Sequence, residues 1–448
     1  MLLEQDASTK GGRSDGRRAQ TNQMTMHIPA GRTAGAVPAA SGATNSVARQ
    51  PIFDAKLKVF GYELLFRGTA TDCSGRFDDD LATSRVLYAG LFSIGLDRLT
   101  FGKTAFVNFS RSMLVSDMVR KLPKDRIALE ILEHVEADAT VTDACATLRT
   151  TGFRIALDDF LPGPRTNALI PFADIVKVDL LNTPEALCEA IPKRFAGGKR
   201  VFLAEKVETH EQYRKAIDWG YTLFQGYFFC RPLQVNTREI GANKHVCFRL
   251  LKAIQDPSIN MEGLERIIRQ DVYLSFAIIR YINSAAFGFR ARVKSLKHAL
   301  SLLGLRKIRE FGTILLLKRL GNDKPDELVR QSLVRGRFAE LLATNAGLAG
   351  EAFLAGIFSL IDAILDRPMR PVIDELGLSD DIAAALLNAP GPLTSLLDAV
   401  VSYERGDWSR SDDCLKHLPP PGDAVQNLYL NAIAWAEEIM KQSDTDHP

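Results

Sequence analysis

The sequence predicts two domains of different fold class, a TIM-like (β/α) barrel followed by an all-α domain. Between residues 50 and 232, short apolar runs alternate with segments of helical spacing, a pattern typical of parallel β/α units. Beyond Pro232 the strand pattern stops, and nearly every segment as far as about Met440 has helical periodicity. The chain has 448 residues, 46% of them hydrophobic, which is enough to bury a core in each of two or three domains.

Composition excludes several other classes of protein. The formal net charge of +2 gives no indication of a nucleic-acid or membrane partner, and we expect neither. The six cysteines are scattered without CxxC or Cys/His spacing, which indicates free thiols in a reducing cytosol rather than disulfides or a zinc site. No apolar run approaches the ~18 residues of a membrane span, and the first residues lack the apolar core of a signal peptide. We therefore expect a cytoplasmic protein.

The domain boundaries follow from changes in composition. Residues 1–47 are rich in Gly, Ala, Ser, Thr and Arg with almost no apolar periodicity, so we predict a disordered tail. Met24 and Met26 are equally good candidates for the true start. The barrel domain is predicted over residues 48–235, with a short linker around 234–242, and the helical domain over residues 243–441.

Seven strand candidates in the first domain carry a polar residue or end in one. Five segments of helical spacing lie between them: 83–96, 113–122, 139–148, 184–195 and 210–219. The carboxyl ends of barrel strands meet on one face, so these polar groups are expected to gather there. The strands with their polar residues are 58–65 (Glu63), 104–109 (Asn108), 127–132 (Glu130), 153–157 (Asp158 and Asp159), 174–180 (Lys177 and Asp179), 200–204 (Glu205 and Glu208) and 222–227 (Gln225).

The adjacent carboxylates Asp158 and Asp159 are the most informative of these residues. Two neighbouring carboxylates repel each other unless a cation or a proton lies between them. A structural alternative stays open, in which one of the two aspartates caps the following helix. Any single polar residue in the series is more often structural than functional. Seven such strands in succession favour a site.

The chemistry of the set suits a hard divalent cation. Carboxylate and amide oxygens prefer magnesium, manganese or calcium to zinc. Converging acids could share two such ions, the arrangement for in-line displacement at a phosphodiester by a bridging water. Lys177 would orient that water or stabilise charge on phosphate oxygens, and Gln225 would do so as a neutral donor. For Gln225 a hydrogen bond to backbone is an equal alternative. The oxygen donors are Glu63, Asn108, Glu130, Asp158, Asp159 and Glu205.

Eight segments between residues 50 and 233 resemble the EAL domain family in sequence and in order. This resemblance implies hydrolysis of cyclic di-GMP to linear pGpG. The segments are QPIF (50–53), YELLFR (62–67), FVNFS (106–110), LEILE (129–133), IALDDF (155–160), IVKVD (175–179), AEKVET (204–209) and FQGYFFCRPL (224–233).

The resemblance also implies a role for each matching residue. The metal ligands, for two Mg²⁺ or Mn²⁺ ions, would be Glu63, Asn108, Glu130, Asp158 and Asp159. The catalytic positions fall on Lys177, Glu205, Glu208 and Gln225. The dinucleotide would meet Gln50, Leu65, Arg67 and Asp179. Among these, Leu65 would give apolar contact, Arg67 would bind a phosphate and Asp179 would bind a guanine edge.

The chain departs from the family pattern at two places. Where active members have FGTGYSSL, a loop that steadies metal and substrate and supports dimer contacts, this chain has FLPGPRTNAL at 160–169. Glu133, which helps to anchor that loop in the family, is kept. The stretch between Arg67 and Asn108 lacks the HPxxG…PxxFI pattern. The expectation is a shortened, divergent barrel with its polar set complete.

The second half resembles the HDOD domain family, whose members are relatives of the HD phosphohydrolases without the metal-binding His-Asp pair. The resemblance rests on RQDVYLSFAIIRYINSAAFG (269–288) and SLLGLRKIREF (301–311). At the position of the lost pair the chain has Ser359 and Leu360, and no histidine occurs between His298 and His417, so hydrolysis in this half is excluded. Asn283 and Ser284 would also serve as structural caps. The predicted helices are 246–254, 261–269, 272–282, 296–303, 305–317, 328–346 and 351–365.

Two functional hypotheses follow. The first is a metal-dependent cyclic di-GMP phosphodiesterase, indicated by the complete polar set. The second is a catalytically silent receptor or scaffold that binds cyclic di-GMP and transmits the signal, indicated by the altered loop at 160–169. In both, the helical domain binds a protein partner that the sequence does not identify, and a homodimer is open.

Overall fold

The computed structural model of the protein describes residues 46–67, 95–233, 242–283, 293, 295–343 and 347–444. Most of the predicted tail, most of the predicted linker and Ser284 lie outside these ranges. The predicted helix 83–96 does too, apart from its last two residues. The first strand begins at Ser46, so it takes the final two residues of the segment predicted as a tail.

Eight strands form a closed barrel in chain order, which confirms the predicted α/β barrel. Strand β1 runs antiparallel to both β2 and β8, and the other neighbours are parallel. β1 was not predicted as a strand, because Arg49, Gln50 and Pro51 interrupt its apolar run and a proline argues against a strand interior. The strands are β1 Ser46–Asp54, β2 Val59–Arg67, β3 Thr104–Phe109, β4 Ile127–Ile131, β5 Arg154–Leu157, β6 Ile175–Asp179, β7 Val201–Glu205 and β8 Leu223–Gln225.

Among the described residues, six α-helices lie between the strands. Local signals set their ends: Asp138 caps the third, and Thr209 with Gln212 forms a capping box at the start of the sixth. The helix predicted over 113–122 is wrong. Ser116 Oγ accepts from the Met118 backbone N–H, a local bond that competes with helix, and only short pieces form on either side. The helices are α1 Leu96–Thr100, α2 Arg111–Leu114, α3 Ala139–Thr150, α4 Pro164–Asn167, α5 Glu185–Phe195 and α6 His210–Trp219.

The described part of the second half is entirely helical, as predicted. The break predicted at Gly304 is confirmed, since its φ of +76° is non-helical and divides Leu296–Leu320 into two helical stretches. The segment predicted as one helix over 351–365 divides into two helices. None of the helices in the described ranges is long and apolar enough to cross a membrane. The helices are α7 Ala242–Gln255, α8 Met261–Arg269, α9 Val272–Ile282, α10 Leu296–Leu320, α11 Asp326–Leu342, α12 Ala349–Phe358, α13 Ile361–Leu365, α14 Met369–Leu376, α15 Asp380–Leu386, α16 Pro392–Glu404, α17 Trp408–Leu415 and α18 Val425–Asp444.

Two glycines allow α11 and α12 to cross closely. A Cβ on Gly356 would lie 2.6 Å from the backbone of Arg335 and Gly336, and one on Gly336 would lie 2.5 Å from Ile357. No larger residue fits this crossing without separating the helices. Beside it, the buried Arg335 guanidinium donates to both carboxylate oxygens of Glu404, at the end of α16, at 2.8 and 2.9 Å.

Buried polar contacts join the helical domain to the barrel. Tyr62 on β2 donates to Glu327 Oε2 on α11 at 3.0 Å, and both side chains are buried. Cys230, after β8, lies 3.2 Å from Gln331 Oε1 on the same helix. Breaking such contacts would leave buried polar groups without partners, so they fix how the two domains pack.

Candidate active site

Strand periodicity brings the predicted polar residues to one end of the barrel. Inward-pointing apolar residues form a layer across the barrel interior. In a strand, the residue two positions further along points to the same side, and in β3 to β8 that residue is polar. β1 runs the opposite way, so its polar residue precedes the apolar one. The pairs are Ile52 with Gln50, Phe106 with Asn108, Ala128 with Glu130, Ala156 with Asp158, Ile175 with Lys177, Leu203 with Glu205 and Leu223 with Gln225.

The Lys177 ammonium lies among four carboxylates, and we call these five residues the Lys177 cluster. Lys177 Nζ is 2.7 Å from Glu130 Oε1, 2.7 Å from Asp158 Oδ1, 2.9 Å from Glu205 Oε1 and 3.6 Å from Glu63 Oε2. Lys177 and Glu130 have no exposed surface. A single ammonium group therefore neighbours four carboxyl groups in a site that is largely shielded from water.

This imbalance changes the protonation of the cluster. Burial raises the pKa of Glu130 well above its ordinary value, with Lys177 opposing and Glu63 and Asp158 adding to the rise. Burial raises the pKa of Glu205 to about 8 against the same lysine. Burial alone would lower the pKa of Lys177, but Glu130, Glu205, Glu63 and Asp158 hold it well above its ordinary value. The lysine is therefore charged, and protons or another cation must balance the remaining acids.

Gln225 contacts the Lys177 cluster through Glu63. Its Nε2 donates to Glu63 Oε2 at 2.6 Å and to Gln50 Oε1 at 3.1 Å. The next residue, Gly226, has φ +144°, and a Cβ there would lie 2.1 Å from the Val207 carbonyl oxygen. Only glycine fits this close backbone approach, which fixes the direction of Gln225.

Several buried oxygens of the predicted site residues accept no hydrogen bond. Each can accept from a donor or bind a cation, and leaving such atoms unpaired in a buried site is costly. Within the ranges described, no three His, Cys, Asp or Glu side chains are arranged to hold a metal ion as they stand. We attribute this to the lysine, whose ammonium lies where the carboxylates converge. The donor set suits a hard divalent cation in type. The unpaired atoms are Asn108 Oδ1, Glu130 Oε2, Glu205 Oε2 and Gln225 Oε1.

Asp159 and Asp179 lie beside a cation that the sequence analysis missed. Lys206 Nζ is 2.5 Å from Asp179 Oδ2 and 3.9 Å from Asp159 Oδ2. Asp179 also accepts from the backbone N–H groups of Leu181 and Asn182. Burial alone would raise the pKa of Asp179, but these donors together lower it. Burial raises the pKa of Asp159. The signal for Lys206 was its position between Glu205 and Glu208 in the sequence.

Glu208 is placed away from the Lys177 cluster in the contacts that the structure gives it. Its carboxylate pairs with Arg231 at 3.0 Å, and its backbone N–H donates to the side chain of Gln212, in the capping box of α6. Its side chain is 47% exposed. The predicted catalytic role of Glu208 therefore has no geometric support from these contacts and stays a prediction.

Three predicted substrate residues contact the helical domain. Gln50 Nε2 donates to the Arg405 carbonyl oxygen at 3.3 Å. Arg67 Nη1 lies 2.6 Å from Asp412 Oδ2. Leu65 packs against Gly406, since a Cβ on that glycine would lie 2.7 Å from Leu65 Cδ1. No local sequence signal could have predicted these contacts, because the partners lie more than 300 residues apart in the chain.

The divergent loop at 160–169 is anchored to the barrel at its start. The Phe160 backbone N–H donates to the Lys177 carbonyl oxygen at 2.9 Å, and its buried ring packs edge-on against Phe195. Further along, Arg165 lies 3.4 Å from Glu136 Oε1, with both side chains exposed. Glu133, expected to anchor this loop, lies 4.0 Å from His134 and is 55% exposed.

In the helical domain, the two positions that the sequence predicts to stand in place of a His-Asp pair have structural contacts. Ser359 Oγ donates to the Gly356 carbonyl oxygen and accepts from Arg335 Nη1 at 3.3 Å. Leu360 is buried. Asn283 ends α9 and bonds to the Val293 backbone in both directions, at 2.7 and 2.8 Å. These contacts support the structural interpretation of Asn283.

Comparisons with known proteins match both halves of the chain. The EAL domain family matches residues 91–232, and the HDOD domain family matches residues 241–365. The cyclic di-GMP phosphodiesterase CdgJ of Vibrio cholerae is 33% identical over 402 residues, 88% of this chain and 93% of that protein. The uncharacterized protein YuxH of Bacillus subtilis is 31% identical over 404 residues, 88% of this chain and 98% of that protein.

Two solved structures align with part of this chain. BlrP1 of Klebsiella pneumoniae, in a calcium and cyclic di-GMP complex, is 22% identical with a TM-score of 0.35, covering 42% of this chain and 56% of that one. YkuI of Bacillus subtilis, in complex with cyclic di-GMP and calcium, is 18% identical with a TM-score of 0.34. It covers 51% of this chain and 72% of that one.

Proposed function

This chain belongs to the family of proteins in which an EAL domain precedes an HDOD domain, and from that membership we propose that it hydrolyses cyclic di-GMP to pGpG. A relative 33% identical over nearly its full length is named a cyclic di-GMP phosphodiesterase. The observation that carries the proposal is the Lys177 cluster, with four acids around one buried ammonium at the barrel mouth.

The residues that would hold divalent metal are Glu63, Asn108, Glu130 and Asp158, with Asp159 beside them. The unpaired oxygens of Asn108 and Glu130 and the excess of acid over base support this assignment. We propose Mg²⁺ or Mn²⁺, and two ions, because several carboxylates that converge at one barrel mouth can share a pair of divalent ions. When bound, such an ion supplies Lewis-acid polarisation of a phosphodiester oxygen.

The remaining residues of the site orient the carboxylates and balance the charge that develops on the substrate. Lys177 holds the carboxylates in place and offers a fixed positive charge to phosphate oxygens as negative charge develops on them. Burial raises the pKa of Glu205 to about 8 in the metal-free site, so this carboxyl group can accept a proton from water only when Lys177 and bound cations keep it ionised. Gln225, fixed by Gly226, donates to Glu63 and keeps that carboxylate directed toward the cluster.

Substrate recognition is assigned to the residues at the β1 and β2 side of the mouth. Arg67 would bind a phosphate, Leu65 would contact a base and Gln50 would donate to the dinucleotide. Asp179 is the remaining candidate, for a guanine edge. Its carboxylate already accepts hydrogen bonds from Lys206 and from the backbone N–H groups of residues 181 and 182. A guanine edge would therefore have to replace one of these donors in order to bind Asp179.

A silent receptor is the second candidate function, and one observation favours it. Lys177 occupies the point where the acids converge, and no three acids, histidines or cysteines within the described ranges stand ready to bind metal. In that case cyclic di-GMP would bind at the mouth without turnover, and the helical domain would transmit the signal.

Incubation of the purified full chain with cyclic di-GMP and Mg²⁺ or Mn²⁺ separates the two functions. The phosphodiesterase predicts pGpG, and the product should disappear in Glu63→Gln, which removes a predicted ligand with little change in shape. Glu189→Gln is the matched control, because Glu189 lies on α5 in an exposed pair with Lys193. Tight binding of cyclic di-GMP without pGpG in the wild-type protein would establish the receptor instead.

A further inference from the structure

One segment of the helical domain contacts three of the four predicted substrate residues. This segment, residues 405–412, runs from the end of α16 into α17, and we call it the cover segment. It presents a carbonyl oxygen to Gln50, a glycine to Leu65 and a carboxylate to Arg67. The guanidinium of Arg405 lies 4.6 Å from the ring centroid of Tyr227, just after β8.

We propose that the cover segment is an autoinhibitory element that competes with cyclic di-GMP for the barrel mouth. The inference rests on the proposed function, because it uses the substrate residues assigned there. Asp412 places a carboxylate on the guanidinium assigned to a substrate phosphate, and Gly406 occupies the surface of Leu65 assigned to a base. A nucleotide and the cover segment cannot make these contacts at the same time.

The cover segment is firmly held at its start, next to Glu404, but only weakly held where it contacts the barrel. It can therefore move away from the barrel mouth while the two domains stay together. Glu404, directly before it, is buried and held by Arg335. By contrast, Arg67 and Asp412 have side chains 40% and 48% exposed, and the hydrogen bond from Gln50 is long at 3.3 Å. Exposed ion pairs contribute little, so a ligand with its own phosphate can displace Asp412.

Gly406 determines how closely the segment approaches. Its φ of +74° is in the region that favours glycine, and its backbone N–H donates to the Tyr403 carbonyl oxygen at 3.0 Å. A side chain at this position would meet Leu65. The turn is therefore built for direct contact with the substrate surface of the barrel.

The first test removes the phosphate-like carboxylate. In full-length Asp412→Ala, we expect the Kd for cyclic di-GMP, measured by calorimetry with EDTA, to fall about two- to fivefold, the range for loss of an exposed ion pair. The KM with Mn²⁺ should fall in parallel. Asp413→Ala is the matched control, because Asp413 lies next to Asp412 on α17 and pairs with Lys416 just beyond the helix. This substitution should leave both values unchanged. An unchanged or weaker affinity in Asp412→Ala would overturn the proposal.

The second test locks the segment in place. A Cβ on Gly406 would lie 3.5 Å from Leu65 Cβ, within the roughly 3.5–4.5 Å that a disulfide needs. In the double variant Leu65→Cys/Gly406→Cys, oxidation should weaken cyclic di-GMP binding more than tenfold, and reductant should restore it. Gly406→Cys alone should not respond to oxidant. If the oxidised and reduced forms of the double variant bound cyclic di-GMP equally well, the proposal that the cover segment competes with the nucleotide would be wrong.

Failure of the proposed function gives a different pattern. If neither the wild-type protein nor Asp412→Ala nor the reduced double variant binds cyclic di-GMP, the assignment of the ligand is wrong and the cover is overturned with it. If the wild-type protein and Asp412→Ala bind with one affinity, and the double variant binds equally well in its oxidised and reduced states, the ligand assignment stands and only the autoinhibitory role of the cover segment is wrong.

Discussion

Lys177 Nζ lies 2.7 Å from Glu130 Oε1, and neither side chain has any exposed surface. The two residues come from β6 and β4, which are not neighbours, so the ion pair crosses the interior of the barrel. Taking both charges out of water is costly unless each has its partner. The same ion pair therefore contributes both to the stability of the barrel and to the candidate active site at its mouth.

Replacement of Lys177 should affect stability and turnover together. Lys177→Met keeps much of the volume but leaves four acids without their cation, so we expect the free energy of unfolding in EDTA to fall by about 3–5 kcal/mol. Urea denaturation measures this change. Mn²⁺ should restore part of the loss, because it can replace the missing charge. Lys177→Ala should abolish pGpG formation while sparing most of the affinity for cyclic di-GMP.

Lys193→Ala is the control for this experiment, because that lysine forms an exposed pair with Glu189 on α5. Its effect should stay within about 0.5 kcal/mol. If Lys177→Met were as stable as the wild-type protein without metal, the ammonium would not be what holds the four carboxylates together.

Stability without metal should depend on pH through Glu205. Its pKa of about 8 in the folded protein lies above its ordinary value of 4.5. The stabilisation from its protonated form is therefore complete below the ordinary value and is lost as pH rises through about 8. Between pH 6.5 and 9 in EDTA, the wild-type protein should lose roughly 2 kcal/mol relative to Glu205→Gln. Chemical denaturation across this interval measures the difference.

The same proton competes with metal for the site. Because ionised Glu205 adds a negative charge beside the predicted ligands, the apparent affinity for Mn²⁺ should rise as pH increases toward and past 8. Calorimetry at pH 7 and pH 9 tests this, with a smaller pH effect expected in Glu205→Gln. Parallel stability curves for the two proteins would show that Glu205 does not titrate in this interval.

Gly226→Ala should damage the site through the backbone. The added Cβ would meet the Val207 carbonyl oxygen at 2.1 Å, and φ of +144° is strained for alanine, so we expect a loss of more than about 2 kcal/mol. Displacement of Gln225 would also release Glu63 and lower kcat. The free energy of unfolding and the initial rate of pGpG formation are the two readouts.

Gly197→Ala provides the comparison for Gly226→Ala. Gly197 is exposed, and a Cβ there would have no atom within 4 Å. Its effect on stability should be within about 0.5 kcal/mol, with kcat unchanged. Equal tolerance of alanine at both positions would contradict the close approach of Gly226 to Val207.

The buried pair of Arg335 and Glu404 should stabilise the helical domain only while both members are present. Glu404→Leu leaves the guanidinium buried without its partner and should cost about 3–5 kcal/mol. Arg335→Met/Glu404→Leu should recover most of that loss, since the unpaired charge is gone. Urea denaturation of the single and double variants measures both effects.

Arg410→Ala is suitable as a reference for these variants, because its pair with Asp398 is exposed at 3.5 Å and should contribute less than about 1 kcal/mol. If the double variant were less stable than Glu404→Leu, the Arg335 guanidinium would stabilise the domain through contacts other than its pair with Glu404.

Strand periodicity made much of the barrel predictable from the sequence. In Phe106 and Asn108, or in Leu203 and Glu205, the alternation of an apolar residue with a polar one two positions later is visible in the letters alone. The convergence of these polar groups followed from the fold class. The identity of the acids that contact Lys177 depends on how the closed barrel aligns non-neighbouring strands, and no local pattern encodes that.

The errors and omissions have equally specific causes. The segment 113–122 has helical spacing, but the local bond made by Ser116 prevents a continuous helix. β1 was missed because of Pro51, although the barrel closes through this strand. Contacts such as that between Arg67 and Asp412 arise only when two domains pack, so they require the folded molecule.

The contact between Arg335 and Ser359 makes a His-Asp pair hard to introduce at positions 359 and 360 of the helical domain. A histidine at position 359 would place its imidazole against a guanidinium that is already paired with Glu404. The new aspartate would also replace a buried leucine. A metal centre at these positions would therefore require redesign of the Arg335–Glu404 pair, and this would disturb the barrel contact too, because the residue after Glu404 accepts a hydrogen bond from Gln50.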